Sequence, residues 1–136
     1  MRLPLLFMLL ACAAQPARGT QTVPPASVEA GRNAFKRCAN CHQVGPGARS
    51  DFGPQLNGIV GRRAGAAPHF AYSPALKHAG FSWDERRLAA FLRDPDAVVP
   101  GNRMRFWGLS NERQVRDLIA SLRSFPASAP APAGRR

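Results

Sequence analysis

Apolar residues recur every three or four positions in two segments, near the start and near the end of the chain's central part, which is the period of a helix with one buried face. The first segment places Val28, Gly31, Phe35 and Cys38 at helical spacing behind Ser27, a residue suited to a helix N-cap. The second segment covers about 111–123. Its inward positions are Val115, Leu118, Ile119 and Leu122. We therefore predict one helix in each segment.

Two shorter helices are predicted between these. Segment 73–80 begins with a serine suited to an N-cap, has Pro74 at its first helical position and ends on a glycine. In the next segment, Ser82 and Glu85 have the spacing of a capping box, and Pro95 ends the helical pattern. The apolar residues of this helix share one face and are Leu88, Phe91 and Leu92.

The stretch 45–65 is rich in Gly and Pro and keeps no helical period, so we expect loops and turns there. No segment shows the alternating pattern of a strand. The expected fold class is therefore all-α, with four to five short helices joined by long loops. So few short helices supply little core, and long structureless loops are uncommon in small domains. We expect another group to fill the middle.

The chain begins like a secretory signal, with Arg2, an apolar run over 3–14 and small residues before residue 20. The run is shorter than the roughly 20 residues that span a bilayer. Export to the periplasm is therefore expected. The sequence around Cys12 also resembles a bacterial lipobox, so a membrane-tethered lipoprotein is the alternative. The expected organisation is a signal peptide at 1–19, a flexible lead-in at 20–26, one folded domain at 27–125 and a disordered Pro/Ala tail at 126–136.

The chain is strongly basic, with 19 Lys and Arg against 8 Asp and Glu and a formal net charge of +11. Such a charge steers encounters with nucleic acid, anionic lipid or acidic proteins. The positive residues are scattered, no zinc-finger or RNA-binding signature organises them, and export argues against nucleic acid. Acidic protein partners are therefore expected, and nucleic acid is not.

The motif "CANCH" places Cys38 two residues before Cys41, and His42 directly after it. A CxxC pair can be a dithiol redox couple, half of a zinc site or a covalent heme attachment. A closed zinc site needs four ligands, and the remaining histidines lack zinc-finger spacing. Thiol-disulfide catalysts usually place the pair at the start of a helix after a strand, whereas this pair follows a helix. C-x-x-C-H is the minimal signature of heme attachment.

A second ligand of the heme iron should lie downstream of this motif. Met1 and Met8 fall in the signal, so Met104 is the only methionine left to the mature protein. A lone methionine is often core filler. Because Met104 lies in a Pro-Gly loop that is poorly suited to helical packing, we interpret it as a ligand of the heme iron.

Several segments in the same order resemble the class I cytochrome c family. These are "GRNAFKRCANCH", "FGPQLNGIVGRRAGAAPHFAYSPALK", "FSWDERRLAAFLRDP" and "PGNRM", and the resemblance covers about residues 27–125. It implies a small all-α fold wrapped around one covalently attached heme c. It also implies that Gly31 and Phe35 meet the last helix near Leu118, with Gly31 allowing the two backbones to approach closely.

The resemblance implies particular heme-binding residues. Cys38 and Cys41 would form thioether bonds, and His42 and Met104 would be the axial ligands of the iron. The carbonyl of Pro54 would accept a hydrogen bond from the His42 ring, which fixes the orientation of the imidazole.

Three further residues stand where the family hydrogen-bonds its inner heme propionate: Arg62, Tyr72 and Trp83. A carboxylate buried beside heme is costly without donors. The alternative is that the two aromatics are core residues and Arg62 is a solvated charge. The chain departs from the family at Phe91, where many members have a tyrosine, and at Leu76, where many have an asparagine. We expect a drier and less polar heme pocket.

The implied function is electron transfer between redox partner proteins, by a monoheme carrier that cycles between Fe(II) and Fe(III) and is not an enzyme. Alternatives are a heme subunit of a larger oxidoreductase complex, or peroxidase-like activity if Met104 is labile. Phe106 is expected beside the exposed heme edge. A basic docking face for acidic partners would be formed by Arg37, Arg63, Lys77, Arg103 and Arg105. The protein is expected to be a monomer, with membrane contact only through a partner or a lipid anchor at Cys12.

Overall fold

The computed structural model describes residues 23–127. This part of the chain contains five helices: α1 (Val28–Phe35), α2 (Pro74–Lys77), α3 (Glu85–Arg93), α4 (Pro95–Val98) and α5 (Glu112–Arg123). Within it, β pairing is limited to an isolated antiparallel bridge between Arg63 and Ser82. The all-α expectation is confirmed. No helix in residues 23–127 is both long and apolar enough to cross a membrane.

Helices α1 and α5 pack with their backbones in direct contact at Gly31. A Cβ atom on Gly31 would collide with the carbonyl oxygen of Asp117 and would lie 2.7 Å from the Cβ of Ser121. The Ser27 hydroxyl caps α1 by accepting from Ala30 N at 3.1 Å, and Ser27 N donates to the Asp117 carboxylate at 2.7 Å. The start of α1 is therefore tied to α5, and the predicted role of Gly31 is confirmed.

Helix α2 is shorter than predicted. Ser73 is its N-cap, accepting from Leu76 N at 3.2 Å, and Pro74 is its first residue, as expected. The helix ends at Lys77 rather than continuing to Gly80, which has a positive φ of 74°.

The predicted capping box of α3 is wrong. Asp84 is the N-cap of this helix, and its carboxylate accepts from Arg87 N at 2.6 Å. Ser82 instead pairs with Arg63 in the antiparallel bridge, whose hydrogen bonds run from Ala64 N to the Phe81 carbonyl and from Trp83 N to the Arg62 carbonyl. Pro95 ends α3, as predicted, and it also begins the additional helix α4, which Asp94 caps.

The core is formed mainly by the inward faces of α3 and α5. All the predicted inward positions of both helices are buried, and they are Leu88, Phe91, Leu92, Val115, Leu118, Ile119 and Leu122. Loop residues complete the same cluster, among them Ile59, Trp83, Val99 and Leu109. The loops thus pack on the helices as well as on one another, and this arrangement surrounds a large cavity.

Candidate functional site

A cavity of about 670 Å³ lies between the loops and the buried faces of α3 and α5. This volume is within the range of about 300–1,000 Å³ that is usual for ligand and cofactor sites. Its lining brings together residues far apart in sequence, including Cys38, Cys41, His42 and Met104. Most of the remaining lining is aliphatic or aromatic. The cavity therefore suits a large apolar group with a few specific attachment points.

The "CANCH" segment forms a compact turn directly after α1. Cys38 N donates to the Phe35 carbonyl at 2.7 Å, and both Cys41 N and His42 N donate to the Cys38 carbonyl, at 3.1 and 2.9 Å. These short-range bonds hold both cysteines and the histidine at the cavity wall. Both thiols are free. The turn thus places both cysteines and the His42 imidazole together at the cavity.

The imidazole of His42 is held in a defined orientation. Its Nδ1 lies 2.8 Å from the Pro54 carbonyl oxygen, so Nδ1 carries the proton and donates it. Burial lowers the pKa of His42, although the Pro54 hydrogen bond opposes this and the charge of Arg62 adds to it. The ring is therefore neutral and keeps a lone pair on Nε2, which is the arrangement a metal-binding histidine requires.

Gly53 also positions His42, and the sequence reasoning missed it. A Cβ at this position would lie 2.6 Å from Cε1 and 2.7 Å from Nδ1 of the ring. Gly53 N donates to the Cys41 carbonyl at 2.8 Å, which brings the two segments together. The only indication in the sequence was that a glycine directly precedes Pro54, whose carbonyl accepts the hydrogen bond from His42.

The environment of the thiols argues against a redox couple or a zinc site. Burial raises the pKa of Cys38, and the charge of Arg37 opposes this only in part. Reactive thiols instead have a lowered pKa, as in dithiol catalysts. Within residues 23–127, no three His, Cys, Asp or Glu side chains converge to hold a metal ion. Of the three interpretations of the motif, heme attachment agrees best with these observations.

Met104 lies in a loop whose conformation is fixed by Asn102. Met104 N donates to the Asn102 side-chain oxygen at 2.9 Å. The Asn102 amide nitrogen in turn donates to Asp96 at 2.8 Å and to the Val99 carbonyl at 3.0 Å. Asn102 was not predicted, and the Pro-Gly-Asn sequence before Met104 was the only indication of it. The half-buried Met104 side chain lines the cavity.

The wall around Met104 is apolar. Phe91 and Leu76, the two positions at which the chain departs from the family pattern, both line the cavity. Phe91 packs edge-on against Trp83, with ring centroids 4.9 Å apart, and Trp83 packs likewise against Phe81. Phe91 and Leu76 therefore give the cavity apolar surface at the two positions where many family members have a tyrosine or an asparagine. The geometry agrees with the expected drier pocket.

The three predicted propionate donors are placed differently. Tyr72 and Trp83 are buried and line the cavity, whereas Arg62 is half-buried and does not line it. Arg62 donates to the carbonyls of Gln55 at 2.8 Å and Asn57 at 3.3 Å. Burial lowers its pKa and raises that of Tyr72, and the positive charge of Arg62 opposes the increase at Tyr72. Arg62 thus lies near Tyr72 but outside the cavity.

The basic residues predicted to surround the cavity divide into two groups. Three of them are exposed and line it: Arg37, Arg103 and Arg105. The other two, Arg63 and Lys77, are exposed but do not line it, so the structure does not bring them to this site. Phe106 is half-buried and lines the cavity as expected.

The chain is similar to known cytochromes. No family model matches the chain. The chain is 43% identical over 109 residues to cytochrome c2 of Blastochloris viridis, covering 78% of this chain and 86% of that protein. It is 49% identical over 92 residues to cytochrome c2 of Rhodomicrobium vannielii, covering 68% and 74% of the two chains.

Solved structures show the same similarity. Cytochrome cH from Methylobacterium extorquens superimposes with a TM-score of 0.69 at 40% identity, over 73% of this chain and 99% of that one. Cytochrome c2 from Rhodospirillum centenum gives a TM-score of 0.70 at 32% identity, over 74% and 99%. With the fold, the "CANCH" turn and the apolar cavity in agreement, the chain belongs to the class I cytochrome c family and is a monoheme electron carrier with one covalently attached heme c.

Proposed function

We propose that Cys38 and Cys41 hold the heme through thioether bonds and that His42 and Met104 are its axial ligands. The observation that carries this proposal is that all four side chains line one cavity, although Met104 is 62 residues beyond His42 in the chain. When bound, the heme supplies one-electron chemistry between Fe(II) and Fe(III). An imidazole and a thioether together occupy both axial positions, so no position is left for a substrate.

The residues of the chain set the environment for that chemistry. The Pro54 carbonyl accepts a hydrogen bond from Nδ1 of His42, which leaves the lone pair of Nε2 available to bind a metal. Phe91, Leu76 and Trp83 contribute apolar surface to the cavity wall. An apolar environment and a thioether ligand both favour the less charged Fe(II) state. A relatively high reduction potential is therefore proposed.

Tyr72 and Trp83 are proposed to donate hydrogen bonds to the inner propionate. Both are buried at the cavity wall, where a carboxylate would be costly without donors. Arg62 is proposed to act from outside the cavity. Its guanidinium is half-buried on two neutral carbonyl acceptors, so its positive charge stabilises a nearby carboxylate through the electrostatic field.

A visible spectrum of the matured protein and of a Met104→Ala variant tests the ligand assignment. The wild type should show a low-spin, six-coordinate heme, with the weak ferric band of a thioether–iron bond near the red end of the visible range. Met104→Ala should lose that band and gain high-spin character, while the pyridine derivative still reports covalent heme. An unchanged spectrum in Met104→Ala would assign the sixth ligand to another residue.

Redox partner proteins follow from the family, and we propose that they dock through acidic faces. Support comes from the three arginines that are both exposed and part of the cavity lining, Arg37, Arg103 and Arg105, against a single exposed acidic lining residue, Asp51. Opposite charges on a partner would accelerate encounter and orient the cavity mouth toward it. A peroxidase and a subunit of a larger complex are not favoured by the similarity to the cytochromes c2.

The location and domain organisation remain proposals. We propose export to the periplasm by a signal peptide at 1–19 and a monomeric cytochrome domain at 27–125, with the lead-in at 20–26 and the Pro/Ala tail at 126–136 outside that domain. Residues 1–22 and 128–136 lie outside the described part of the chain, as does Cys12, the site of the alternative lipid anchor. Intact-mass measurement of the exported protein would separate cleavage near residue 19 from lipidation at Cys12.

A further inference from the structure

The loop that carries Met104 presents a stripe of three exposed side chains to solvent. Along 102–107 exposure alternates residue by residue, with Arg103, Arg105 and Trp107 exposed. The intervening Met104 and Phe106 are half-buried and line the cavity. Arg103 and Arg105 also line the cavity whereas Trp107 does not, so the exposed stripe runs from the edge of the cavity onto the surface beside it.

Trp107 is the most exposed large apolar residue in the described part of the chain. Its relative exposure is 102%, so no other residue in the range 23–127 covers its ring. The other tryptophan, Trp83, has a relative exposure of 6%. A fully solvated indole contributes nothing to the stability of the core, so the fold does not explain why a tryptophan occupies this position.

The backbone on both sides of Trp107 is fixed. Gly108 has a positive φ of 92° and is so close to α3 that a Cβ would collide with the Arg93 carbonyl oxygen. Leu109 N donates to the Leu92 carbonyl at 2.8 Å. On the other side, Asn102 holds Met104 N. The indole therefore projects from an ordered support, which lowers the entropy that binding would cost.

We propose that Trp107 is the apolar anchor of the docking surface, and that its occupant is a redox partner protein that presents carboxylates around an apolar pocket. This rests on the proposed docking of acidic partners. Arg103 and Arg105 on the same stripe attract carboxylates, and tryptophan is among the residues most enriched at the energetic centre of protein interfaces. Burial of the indole would place the partner one residue from Phe106 and the cavity wall.

The two parts of the stripe should contribute differently to binding. Arginine–carboxylate attraction at an exposed rim is screened by salt and acts mainly on the association rate. Burial of an indole is not screened and acts mainly on dissociation. With Trp107 as the anchor, part of the affinity for the redox partner should persist at high ionic strength.

Stopped-flow electron transfer from the reduced holoprotein tests this, with a purified acidic cytochrome c peroxidase, first oxidised by hydrogen peroxide, as the electron-accepting probe. Trp107→Ala should weaken the complex about tenfold at both low and high salt, and Trp107→Phe should recover most of the loss. Arg105→Gln should weaken the complex mainly at low salt. Arg116→Gln, the same charge change on the exposed side of α5, should have little effect. The reduction potential and spectrum of Trp107→Ala should equal those of the wild type.

Nuclear magnetic resonance gives an independent measurement, because the chain contains only two tryptophans. On titration with the probe, the indole N–H signal of Trp107 should shift, while that of buried Trp83 should stay in place. A complex that is salt-sensitive but unchanged by Trp107→Ala, with no shift of the Trp107 signal, would overturn the anchor and leave the basic docking face intact. A holoprotein whose electron transfer shows no salt dependence would contradict the docking face itself.

Discussion

The ring of His42 lies between the carbonyl oxygen of Pro54, 2.8 Å from Nδ1, and the bare α-carbon of Gly53. One neighbour orients the imidazole by a hydrogen bond, and the other makes room for it by having no side chain. Since Gly53 N also donates to the Cys41 carbonyl at 2.8 Å, the heme motif and segment 53–54 form one unit. The orientation of the proposed ligand therefore depends on backbone atoms.

Gly53→Ala should displace the imidazole. The added Cβ would lie 2.6 Å from Cε1 of His42, and relieving such overpacking typically costs about 1–3 kcal/mol. We expect a lower yield of holoprotein and a denaturation midpoint below that of the wild type, measured by urea titration of the heme spectrum. Gly47→Ala is the control, because nothing lies within 4 Å of its added Cβ. Because Gly47 has a positive φ, Gly47→Ala should lower stability, but its heme spectrum should stay normal. An altered heme spectrum in Gly47→Ala but not in Gly53→Ala would contradict the role of Gly53.

Leu76→Asn should destabilise the holoprotein. Leu76 lines the apolar cavity, so an amide there would lose its hydrogen bonds to water, at a cost of about 1–3 kcal/mol. Leu76→Met keeps the volume and apolar character and should cost less than about 1.5 kcal/mol. Urea unfolding of the two variants measures the difference. Equal or greater stability of Leu76→Asn would show that polar partners or water are accessible at this wall.

Stability should fall at alkaline pH because of Tyr72. Burial raises the pKa of this phenol above its ordinary value of 10.0, so the folded protein retains the proton where the unfolded chain has released it. The contribution is complete below about pH 10 and is lost as the pH rises from there toward the folded pKa. Tyr72 is the only tyrosine in the sequence, so the phenolate absorbance of the holoprotein reports this group alone.

A Tyr72→Phe variant provides the control for that titration. It should show a smaller loss of stability between pH 8 and pH 11 than the wild type, measured as the urea midpoint. The same loss in both proteins would assign the alkaline destabilisation to other groups.

Arg62→Gln should lower the reduction potential. Removing a half-buried positive charge near the cavity makes the more highly charged Fe(III) state easier to form, and about 1 kcal/mol of this effect corresponds to roughly 40 mV for one electron. We expect a decrease of about 30–60 mV in a spectroelectrochemical titration. Arg63→Gln removes the same charge from the exposed neighbouring residue and should change the potential much less. Equal changes of the reduction potential in the two variants would show that the charge of Arg62 has no special influence on the site.

Much of the heme-binding site could be predicted because it rests on local or compositional constraints. The spacing of Cys38, Cys41 and His42 produces the turn through hydrogen bonds within a few residues, so the motif carries its own geometry. Met104, which lines the cavity, was predicted as a ligand because no other methionine was left to the mature chain. The predicted N-caps at Ser27 and Ser73 likewise act on residues within one helical turn.

Other features depend on contacts with residues elsewhere in the chain, and the sequence did not reveal these contacts. Ser82 pairs with Arg63, which leaves Asp84 as the cap of α3. The direction in which Arg62 points depends on the carbonyls of Gln55 and Asn57. Gly53 matters only because the ring of His42 lies against it.

The sequence by itself determined the attachment motif, the helical class and the basic character, because each follows from residue type and short spacing. Tertiary structure decided which charges reach the cavity and which aromatic ring faces solvent. Arg103 and Arg105 line the cavity whereas Arg63 and Lys77 do not, and Trp107 is exposed whereas Trp83 is buried. The physical reason is that the direction of a side chain on a loop is set by the elements packed behind it, which lie elsewhere in the chain.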